Sequence, residues 1–339
     1  MKKIVTFGEI MLRLSPPRFQ KIEQAHNFEV VYGGGEANVA ISLSRLGLRS
    51  EFVTKLPDNP LGYSAEQYLK QHGVLTDHII YGGNRLGIYF LEKGYSIRSS
   101  KVIYDRAGSS FSQSVMDDYH FQKIFQDAEW FHVSGITPAL NNELFQITKR
   151  ALQIAKACGV TTSCDLNYRS SLWSFEEARK KMSELIHDVD VCIGIEPLQL
   201  PDEQGKDLKD RYKRPWSVET SKEIMKKLFR VYPIKKLAMT FRESISVNRN
   251  RLKALLSDGV SFYESDEIEV EIVDRVGAGD AFSAGIIYSL INHLPPQDAI
   301  EFATACFALK HTVEGDVNVL QRSDIEQLLN QKHSVSIKR

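Results

Sequence analysis

Along most of the chain, short runs of apolar residues alternate with longer segments in which apolar residues recur every three or four positions. The short runs are typical of buried strands, and the longer period is typical of helices that pack on a sheet. Strands are predicted at 3–7, 51–54, 129–133, 160–165, 189–193, 236–240 and 268–273, and helices at 37–46, 61–72, 142–157, 175–187, 221–230, 278–293 and 296–310. Strands that alternate with helices in this way predict an α/β fold with a mostly parallel sheet.

Two segments, at approximately 11–32 and 86–107, break this alternation with pieces in which apolar and polar residues alternate one by one. The second segment contains the strand-like runs LGIYFLE (86–92) and KVIY (101–104). This pattern predicts a small separate β-sheet that covers a site as a lid. Ordinary surface hairpins are the alternative interpretation. Residues 1–339 are therefore predicted to form a single domain with two inserted lid segments.

Composition narrows the class of protein. With 42% hydrophobic and 10% aromatic residues among 339, the chain has enough apolar material for a full core, which excludes global disorder. The 43 Lys and Arg residues balance the 43 Asp and Glu residues. No strongly basic surface for nucleic acid or for an anionic membrane is therefore predicted.

Other features of the sequence favour a cytoplasmic protein. No apolar run approaches the roughly 20 residues that a membrane-spanning helix needs. The start of the chain has two lysines but no long apolar stretch and no small-residue cleavage site, so it predicts a strand rather than a signal peptide. The four cysteines show no Cys-x-x-Cys spacing, which fits a reducing compartment.

The glycine-rich sequence DRVGAGDAFSAG (274–285) lies between a predicted strand and a predicted helix. The backbone N–H groups of Gly277, Ala278 and Gly279, together with the helix N-terminus, are predicted to bind an anion such as a phosphoryl group. Asp280 follows in the first helical turn, where a carboxylate either accepts a proton from a substrate hydroxyl or caps the helix. The spacing differs from G-x-G-x-x-G and from a Walker A loop, which removes the main support for a dinucleotide site or a P-loop nucleotidase.

A second glycine-rich sequence, GGGEANVA (33–40), stands at the start of the first predicted helix. Its glycines permit close backbone approach to a ligand, and Asn38 can both donate and accept hydrogen bonds. A flexible hinge before a helix is the alternative interpretation of the same residues.

The two motifs, one near each end of the chain, resemble the two signatures of the PfkB/ribokinase family of carbohydrate kinases. The resemblance extends over essentially the whole chain. It implies ATP-dependent phosphorylation of a sugar hydroxyl by a three-layer α/β/α ribokinase-like domain with a mostly parallel central sheet and a small β-sheet lid. It also implies that Asp280 is the catalytic base and that the amides of Gly277, Ala278 and Gly279 form the anion hole. Lid strands of such proteins often make a dimer contact, so a homo-oligomer is expected.

Within the family, the opening TFGEIMLRL (6–14) and the segments YDRAG (104–108) and DLNYR (165–169) are similar to those of 2-keto-3-deoxygluconate kinases. This similarity implies phosphoryl transfer to the primary hydroxyl of that sugar acid, which gives the 6-phosphate. A kinase for another sugar, of the fructose, ribose or deoxygalactonate type, is one alternative. A sugar-sensing binding module without turnover is the other.

A keto-deoxy sugar acid carries a carboxylate, and a guanidinium fork matches the geometry of that group. Arg106 and Arg169 are the candidates for this contact. A solvated loop charge at Arg106, and an ion pair of Arg169 with Asp165, are the structural alternatives. Tyr89 and Tyr104 are predicted to offer phenolic hydrogen bonds from the lid. The remaining predicted sugar contacts are Gly34, Asn38 and Asp280.

The nucleotide is predicted to meet the anion hole through its γ-phosphate. At 240–246 the sequence TFRESIS stands where relatives usually have a glycine-rich turn against the nucleotide. Either Arg242 is predicted to reach the phosphates, or Glu243 and Ser244 are predicted to line the adenosine. The full set of predicted ATP contacts is Thr240, Arg242, Glu243, Ser244, Gly277, Gly279, Thr304 and Asn318.

The resemblance also implies Mg²⁺ and leaves open a monovalent cation such as K⁺ near Asp274. Many relatives carry an Asn-x-x-Glu motif linked to Mg²⁺, whereas this sequence has Ile195 and Leu198 at those two positions. Glu196 and Gln199 are out of phase with the motif. No metal ligand is therefore assigned, and Mg²⁺ is expected to be held mainly by water and the ATP phosphates.

Overall fold

The computed structural model describes residues 3–336 and the side chains of residues 3–331. The strands in this range are β1 (Lys3–Phe7), β2 (Met11–Ser15), β3 (Glu29–Gly33), β4 (Ser50–Val53), β5 (Lys55–Leu56), β6 (Ile80–Tyr81), β7 (Gly87–Glu92), β8 (Lys101–Asp105), β9 (Ala128–Ser134), β10 (Thr161–Asp165), β11 (Val191–Ile193), β12 (Lys236–Ser246), β13 (Arg249–Ser257), β14 (Phe262–Glu264) and β15 (Ile268–Glu271). The α-helices are α1 (Gly35–Arg45), α2 (Pro60–Gln71), α3 (Phe121–Ile124), α4 (Asn142–Ala157), α5 (Phe175–Leu185), α6 (Val218–Val231), α7 (Ala278–Ile291), α8 (Pro296–Lys310) and α9 (Arg322–Ser336). None of the helices in this range is both long and apolar enough to cross a membrane.

Within the described residues, nine strands form one central sheet in the order β14-β13-β12-β11-β10-β9-β1-β4, with β15 paired to β13. The strands from β12 to β4 run parallel to their neighbours, and β13, β14 and β15 pair antiparallel. The carboxyl ends of parallel strands lie along one edge of a sheet, and ligands of such sheets bind there. The predicted α/β class with a mostly parallel central sheet is confirmed.

Helices cover both faces of the central sheet and give three α/β/α layers. On one face, α4, α5 and α6 pack through buried residues that include Ile147 and Ile224. On the other face, α1, α7 and α8 pack through residues that include Leu43 and Ile286. Burial of apolar side chains on both faces is the main stabilising contribution in a fold of this type.

A second sheet of four strands, in the order β3-β2-β7-β8, is separate from the central sheet. β2 and β7 are parallel, and β3 and β8 pair antiparallel at the two edges. These strands fall in the two inserted segments, so the small extra sheet expected from the sequence is present; its role as a lid stays a prediction. The edge strand β8 is exposed along its whole length, including Val102, Ile103 and Tyr104.

β12 and β13 form a longer hairpin than the sequence predicts. β12 continues beyond the predicted end at Thr240 to Ser246, where the chain turns into β13. β13 is absent from the prediction because its sequence, RNRLKALLS, is rich in helix-favouring residues and has no β-branched side chain. Antiparallel pairing with β12 gives this segment its extended conformation.

Candidate active site

A cleft of about 560 Å³ opens between the carboxyl ends of the parallel strands and the small sheet. Its lining combines the first glycine motif, the turn before α7, and residues of β7 and β8. The predicted site residues that line it are Gly34, Asn38, Tyr89, Tyr104, Arg106, Arg169, Thr240, Arg242, Gly277, Gly279 and Asp280. The fold thus brings the two sequence motifs, from opposite ends of the chain, into one cleft.

The turn before α7 supplies backbone amides to the cleft. Gly277 has a φ of +78°, in the left-handed region, and a Cβ at this position would lie 1.8 Å from the carbonyl oxygen of Asp316. Both facts require glycine here. α7 begins at Ala278 and has 14 residues, so the unpaired N–H groups of its first turn follow the glycine directly. Such a helix N-terminus favours an anionic ligand.

Asp280 lies in the first turn of α7, and its Oδ2 accepts a hydrogen bond from Asn38 Nδ2 at 2.7 Å. Asn38 Oδ1 accepts a hydrogen bond from the Gly34 N–H at 3.3 Å. The first glycine motif therefore orients the carboxylate of the second. Burial raises the pKa of Asp280 to about 7, although the hydrogen bond from Asn38 opposes this shift. A carboxylate with a pKa near neutral is suited to accept a proton from a hydroxyl.

Two more carboxylates lie close enough to Asp280 to affect its charge. Burial raises the pKa of Asp165 to about 6 and also raises the pKa of Glu36. Glu36 Oε1 accepts hydrogen bonds from the hydroxyls of Ser134 and Thr137 at 2.7 and 2.9 Å. Because like charges disfavour one another, Asp165 and Glu36 add to the effect of burial on Asp280.

Behind the turn before α7, Arg13 of β2 is buried between two carboxylates. Its guanidinium donates to Asp274 Oδ2 at 2.7 Å and to Asp316 Oδ1 at 2.6 Å. Burial alone would lower the pKa of Arg13, but the two carboxylates hold it above its ordinary value. Lys310 is fully buried nearby, and its ammonium donates to the Val313 carbonyl at 3.1 Å. Sequence reasoning missed this group, because its members lie far apart in the chain and form no local motif.

Two predicted sugar contacts already have protein partners. The Tyr89 hydroxyl donates to Asp316, and the side chain is 4% exposed. Arg106 donates to Glu9 through Nε at 2.9 Å and also through Nη2. Arg106 is therefore not the solvated loop charge of the alternative interpretation. Its charge is matched by Glu9 before any ligand binds.

Arg169 and Tyr104 remain available to a ligand. Arg169 is exposed in the cleft, and its side chain has no hydrogen bond or ion pair within residues 3–331, so the alternative pair with Asp165 is not formed. Its positive charge nonetheless opposes the raised pKa values of Asp165 and Asp280, which shows that it lies within electrostatic reach of both. Tyr104 projects from β8, with its ring centre 5.8 Å from that of Tyr89.

The segment predicted to meet the nucleotide is only partly in the cleft. Thr240 and Arg242 of β12 line it. Glu243 and Ser244 follow on the same strand, exposed but outside the lining, and Glu243 lies 3.5 Å from the guanidinium of Arg251. The extended β12–β13 hairpin therefore carries these two side chains past the cleft wall.

Three further predicted residues lie in the interior. Thr304 is fully buried in α8, where its hydroxyl donates to the Ile300 carbonyl at 2.7 Å. Asn318 is also buried and accepts a hydrogen bond from the Leu320 N–H at 3.3 Å. Ala278 is buried at the first position of α7. None of the three side chains lines the cleft, because the helix period and the packing of the loop after α8 turn them inward.

The residues offer little to a metal ion. Among the described residues, no three His, Cys, Asp or Glu side chains come close enough together to bind one. Ile195 and Leu198, at the positions of the relatives' Asn-x-x-Glu motif, are buried apolar side chains. Glu196 forms an ion pair with Arg214 and lies 3.5 Å from Lys209. A metal ion in this cleft would therefore depend mainly on ligands from outside the protein, such as water and nucleotide phosphates.

A carboxylate of raised pKa in the first turn of a helix, behind a glycine turn at the carboxyl edge of a parallel sheet, is the arrangement expected of an α/β phosphotransferase. A sequence profile described as pfkB family carbohydrate kinase matches residues 1–197 and 247–322. The chain belongs to this family, as the two motifs predict.

Individual relatives are similar over their whole length. The crystal structure of a 2-dehydro-3-deoxygluconokinase from Thermotoga maritima is 46% identical with a TM-score of 0.90, and the alignment covers 97% of this chain and 98% of that one. A 2-dehydro-3-deoxygalactonokinase of Haloferax volcanii is 36% identical, with 96% of both chains covered. A 2-dehydro-3-deoxygluconokinase of Bacillus subtilis is 28% identical, with 99% of this chain and 98% of that one covered.

Proposed function

We propose that the protein transfers the γ-phosphoryl group of ATP to the primary hydroxyl of 2-dehydro-3-deoxygluconate, also called 2-keto-3-deoxygluconate, giving the 6-phosphate. The observation that carries the proposal is the position of Asp280, with a pKa of about 7, in the first turn after the glycine turn at the N-terminus of α7. The relatives named for this sugar acid and for its galactonate epimer support the choice of substrate class.

The chemical step is an in-line displacement at phosphorus. The substrate hydroxyl oxygen forms a bond to the γ-phosphorus while the bond from that phosphorus to the β,γ-bridging oxygen breaks, and ADP leaves with that oxygen. Asp280 accepts the hydroxyl proton. The amides of Gly277, Ala278 and Gly279 stabilise negative charge on the transferred group. Asn38 acts as a positioning residue through its 2.7 Å hydrogen bond to the carboxylate.

The small sheet acts as the lid in this proposal. One face of the small sheet borders the cleft through Tyr89, Tyr104 and Arg106. In this proposal the sugar acid lies between these three residues and Gly34. Closure of such a cover excludes water, so the phosphoryl group passes to the sugar rather than to water.

The proposal includes Mg²⁺ with ATP but no monovalent cation. Mg²⁺ commonly keeps several water ligands and binds through substrate phosphates, which fits a cleft with few protein ligands. A cation such as K⁺ beside Asp274 does not fit. The Asp274 carboxylate already accepts hydrogen bonds from Arg13 at 2.7 Å, from the Val276 N–H at 3.1 Å and from the Gly315 N–H at 3.3 Å. The buried ammonium of Lys310 adds a second positive charge nearby.

The pH dependence of turnover follows from the pKa of Asp280. Only the deprotonated carboxylate accepts a proton, so kcat/KM for the sugar acid should fall about tenfold for each pH unit below about 7 and level off above it. The measurement is kcat/KM for the sugar from pH 5.5 to 8.5 at saturating ATP and Mg²⁺. Asp165→Asn should move the midpoint to lower pH, because Asp165 contributes to the raised pKa of Asp280. A flat profile down to pH 5.5 contradicts the assignment.

Arg169 is the guanidinium that the proposal assigns to the substrate carboxylate. Arg169→Ala should raise KM for the sugar acid about tenfold or more and leave KM for ATP within about twofold, because a charge-assisted contact to one substrate is lost. Steady-state kinetics with each substrate varied in turn measure both values. Arg322→Ala, which removes an exposed i,i+4 pair with Glu326 on α9, is the matched control and should change neither KM. Equal losses for both substrates argue against the assignment.

A second copy of the chain is the proposed partner of the lid strands. β8 is an edge strand, and Ile103 and Val102 on it are 53% and 43% exposed. Exposed apolar edges of this kind favour pairing with another strand. Sedimentation at micromolar concentration is expected to show a homo-oligomer that Ile103→Lys dissociates. A wild-type monomer at that concentration contradicts this partner.

We further propose a cytoplasmic location, on the cysteine pattern alone.

The experiment that tests the function is a coupled ADP-release assay with Mg²⁺ and ATP. The acceptor panel is 2-keto-3-deoxygluconate, its galactonate epimer, gluconate, fructose and ribose. Turnover confined to the two keto-deoxy acids supports the proposal, and the ratio of their kcat/KM values ranks the epimers. Turnover on a neutral sugar rejects the substrate class and keeps the kinase. Binding of a sugar without ADP release supports a sensing module instead.

A further inference from the structure

Besides Arg169, two arginines in the cleft wall have no acidic partner. Arg242 is on β12, and Arg275 precedes Gly277 of the turn before α7 by two positions. Both line the cleft. Within the described residues neither guanidinium forms an ion pair with a carboxylate, whereas the guanidiniums of Arg13 and Arg106 each do. Arg242 and Arg275 therefore add to the cleft two positive charges that the protein does not neutralise by contact.

Arg275 is held in place by a contact that uses only part of its fork. Nη2 donates to the Val247 carbonyl at 2.5 Å, in the turn between β12 and β13. This bond fixes the guanidinium against the hairpin that carries Arg242, while the other N–H groups of Arg275 have no partner in the described part of the chain. Burial and the positive charge of Arg242 together lower the pKa of Arg275, so the two guanidiniums repel each other without a ligand.

The buried His311 is also close to this pair, and it carries no charge that could offset the two guanidiniums. Burial lowers its pKa to about 4, and the charges of Arg242 and Arg275 act in the same direction. His311 is therefore neutral at pH 7. A ligand with negative charges on adjacent groups would relieve the repulsion, and planar guanidinium forks match the oxygens of phosphate.

We propose that Arg275 and Arg242 form a clamp for the polyphosphate chain of the nucleotide, and that Arg275 positions its terminal phosphoryl group at the turn before α7. The clamp rests on the proposed function for the identity of the donor. It adds Arg275 to the residues that bind the nucleotide, and it gives the β12–β13 hairpin a recognition role through charge. The clamp binds ligands that have two or more linked phosphates, and it binds a nucleoside monophosphate poorly.

Nucleotide binding without any sugar tests the clamp independently of the proposed sugar specificity. Titration calorimetry with Mg²⁺ present gives the affinity for ATP, ADP and AMP. Arg275→Met, which keeps an apolar stem, is expected to weaken ATP and ADP binding more than tenfold and to leave AMP binding within twofold. Arg242→Met should act in the same direction. Inorganic tripolyphosphate should compete with ATP on the wild-type protein and lose most of its potency on Arg275→Met.

Two further variants make the result decisive. Arg249→Met removes an exposed arginine of the same hairpin that pairs with Glu269, and it should leave ATP affinity unchanged. Arg275→Lys keeps the charge without the fork and should lie between the wild type and Arg275→Met. It also carries the test if Arg275→Met does not fold. ATP affinity within twofold of wild type in Arg275→Met, or in Arg275→Lys where only that variant folds, overturns the clamp. An equal loss of ATP and AMP binding also overturns it, because that pattern indicates a structural role. Absence of sugar turnover in the wild type, with the ATP over AMP selectivity intact, rejects the proposed function and leaves the clamp.

Discussion

Asp280→Asn is expected to lower kcat by roughly 10²–10⁴-fold while KM for the sugar acid and ATP change little. Asn has the same shape as Asp, and it can still accept the hydrogen bond that Asn38 Nδ2 donates to Asp280 at 2.7 Å. It cannot accept a proton from the substrate hydroxyl. The loss therefore falls on the chemical step rather than on binding. Steady-state kcat and KM, with nucleotide affinity from calorimetry, separate the two.

One control for this variant is another carboxylate in the first turn of a helix. Asp298→Asn changes an exposed carboxylate in the first turn of α8 and should keep normal kcat, which tests whether any first-turn carboxylate has this effect.

Burial raises the pKa of Asp280 to about 7, against 3.8 for an unshifted carboxyl. The folded state thus binds the proton more tightly, and stability declines as pH rises from about 4 to 7. At pH 8, Asp280→Asn should melt at or above the wild-type temperature. Near-normal kcat in a folded Asp280→Asn protein rejects Asp280 as the base.

Arg13→Met is expected to lower the free energy of unfolding by about 3–5 kcal/mol. The substitution leaves Asp274 and Asp316 buried without the guanidinium that bonds them at 2.7 and 2.6 Å. Removal of one partner from a buried charged group is costly, because the remaining charges stay out of water. Denaturant unfolding, followed by fluorescence and circular dichroism, measures the change.

A surface pair provides the comparison. Arg249→Met breaks the ion pair with Glu269, whose side chains are 53% and 34% exposed for Arg and Glu, and should cost less than about 1 kcal/mol. The double variant Arg13→Met with Asp316→Asn should recover part of the loss, since it removes one of the two stranded charges. A cost for Arg13→Met no larger than that of Arg249→Met shows that the buried cluster does not stabilise the fold.

The sequence is a good guide to the fold where side-chain period and local propensity agree. The apolar run at β1 and the apolar period of α8 predict the bounds that the structure has. β13 is one of the elements that the prediction misses, because the extended conformation of Arg249–Ser257 depends on pairing with β12 rather than on its own residues. Tertiary pairing of this kind leaves no trace in the segment that it shapes.

The same distinction between local sequence signals and long-range contacts applies to the candidate active site. Gly277 and Asp280 could be identified because a strand, a glycine turn and a helix follow one another in the sequence. The partners of Arg106 and Tyr89 could not, since Glu9 lies 97 positions from Arg106 and Asp316 lies 227 positions from Tyr89. Nothing near either residue indicates whether its polar atoms are free for a ligand.

The cleft depends on contacts between residues near the start of the chain and residues after position 270, and this sets the order in which it can form during synthesis. Asn38 and Asp280 are 242 positions apart, and Arg13 and Asp316 are 303 positions apart. A nascent chain presents β2 and α1 to the solvent long before the ribosome has made α7 and the loop after α8. Until then Arg13 has no carboxylate to neutralise it, and Asn38 has no base to orient. Cotranslational folding can complete several strands of the sheet early, but a binding-competent cleft appears only when the last part of the domain emerges.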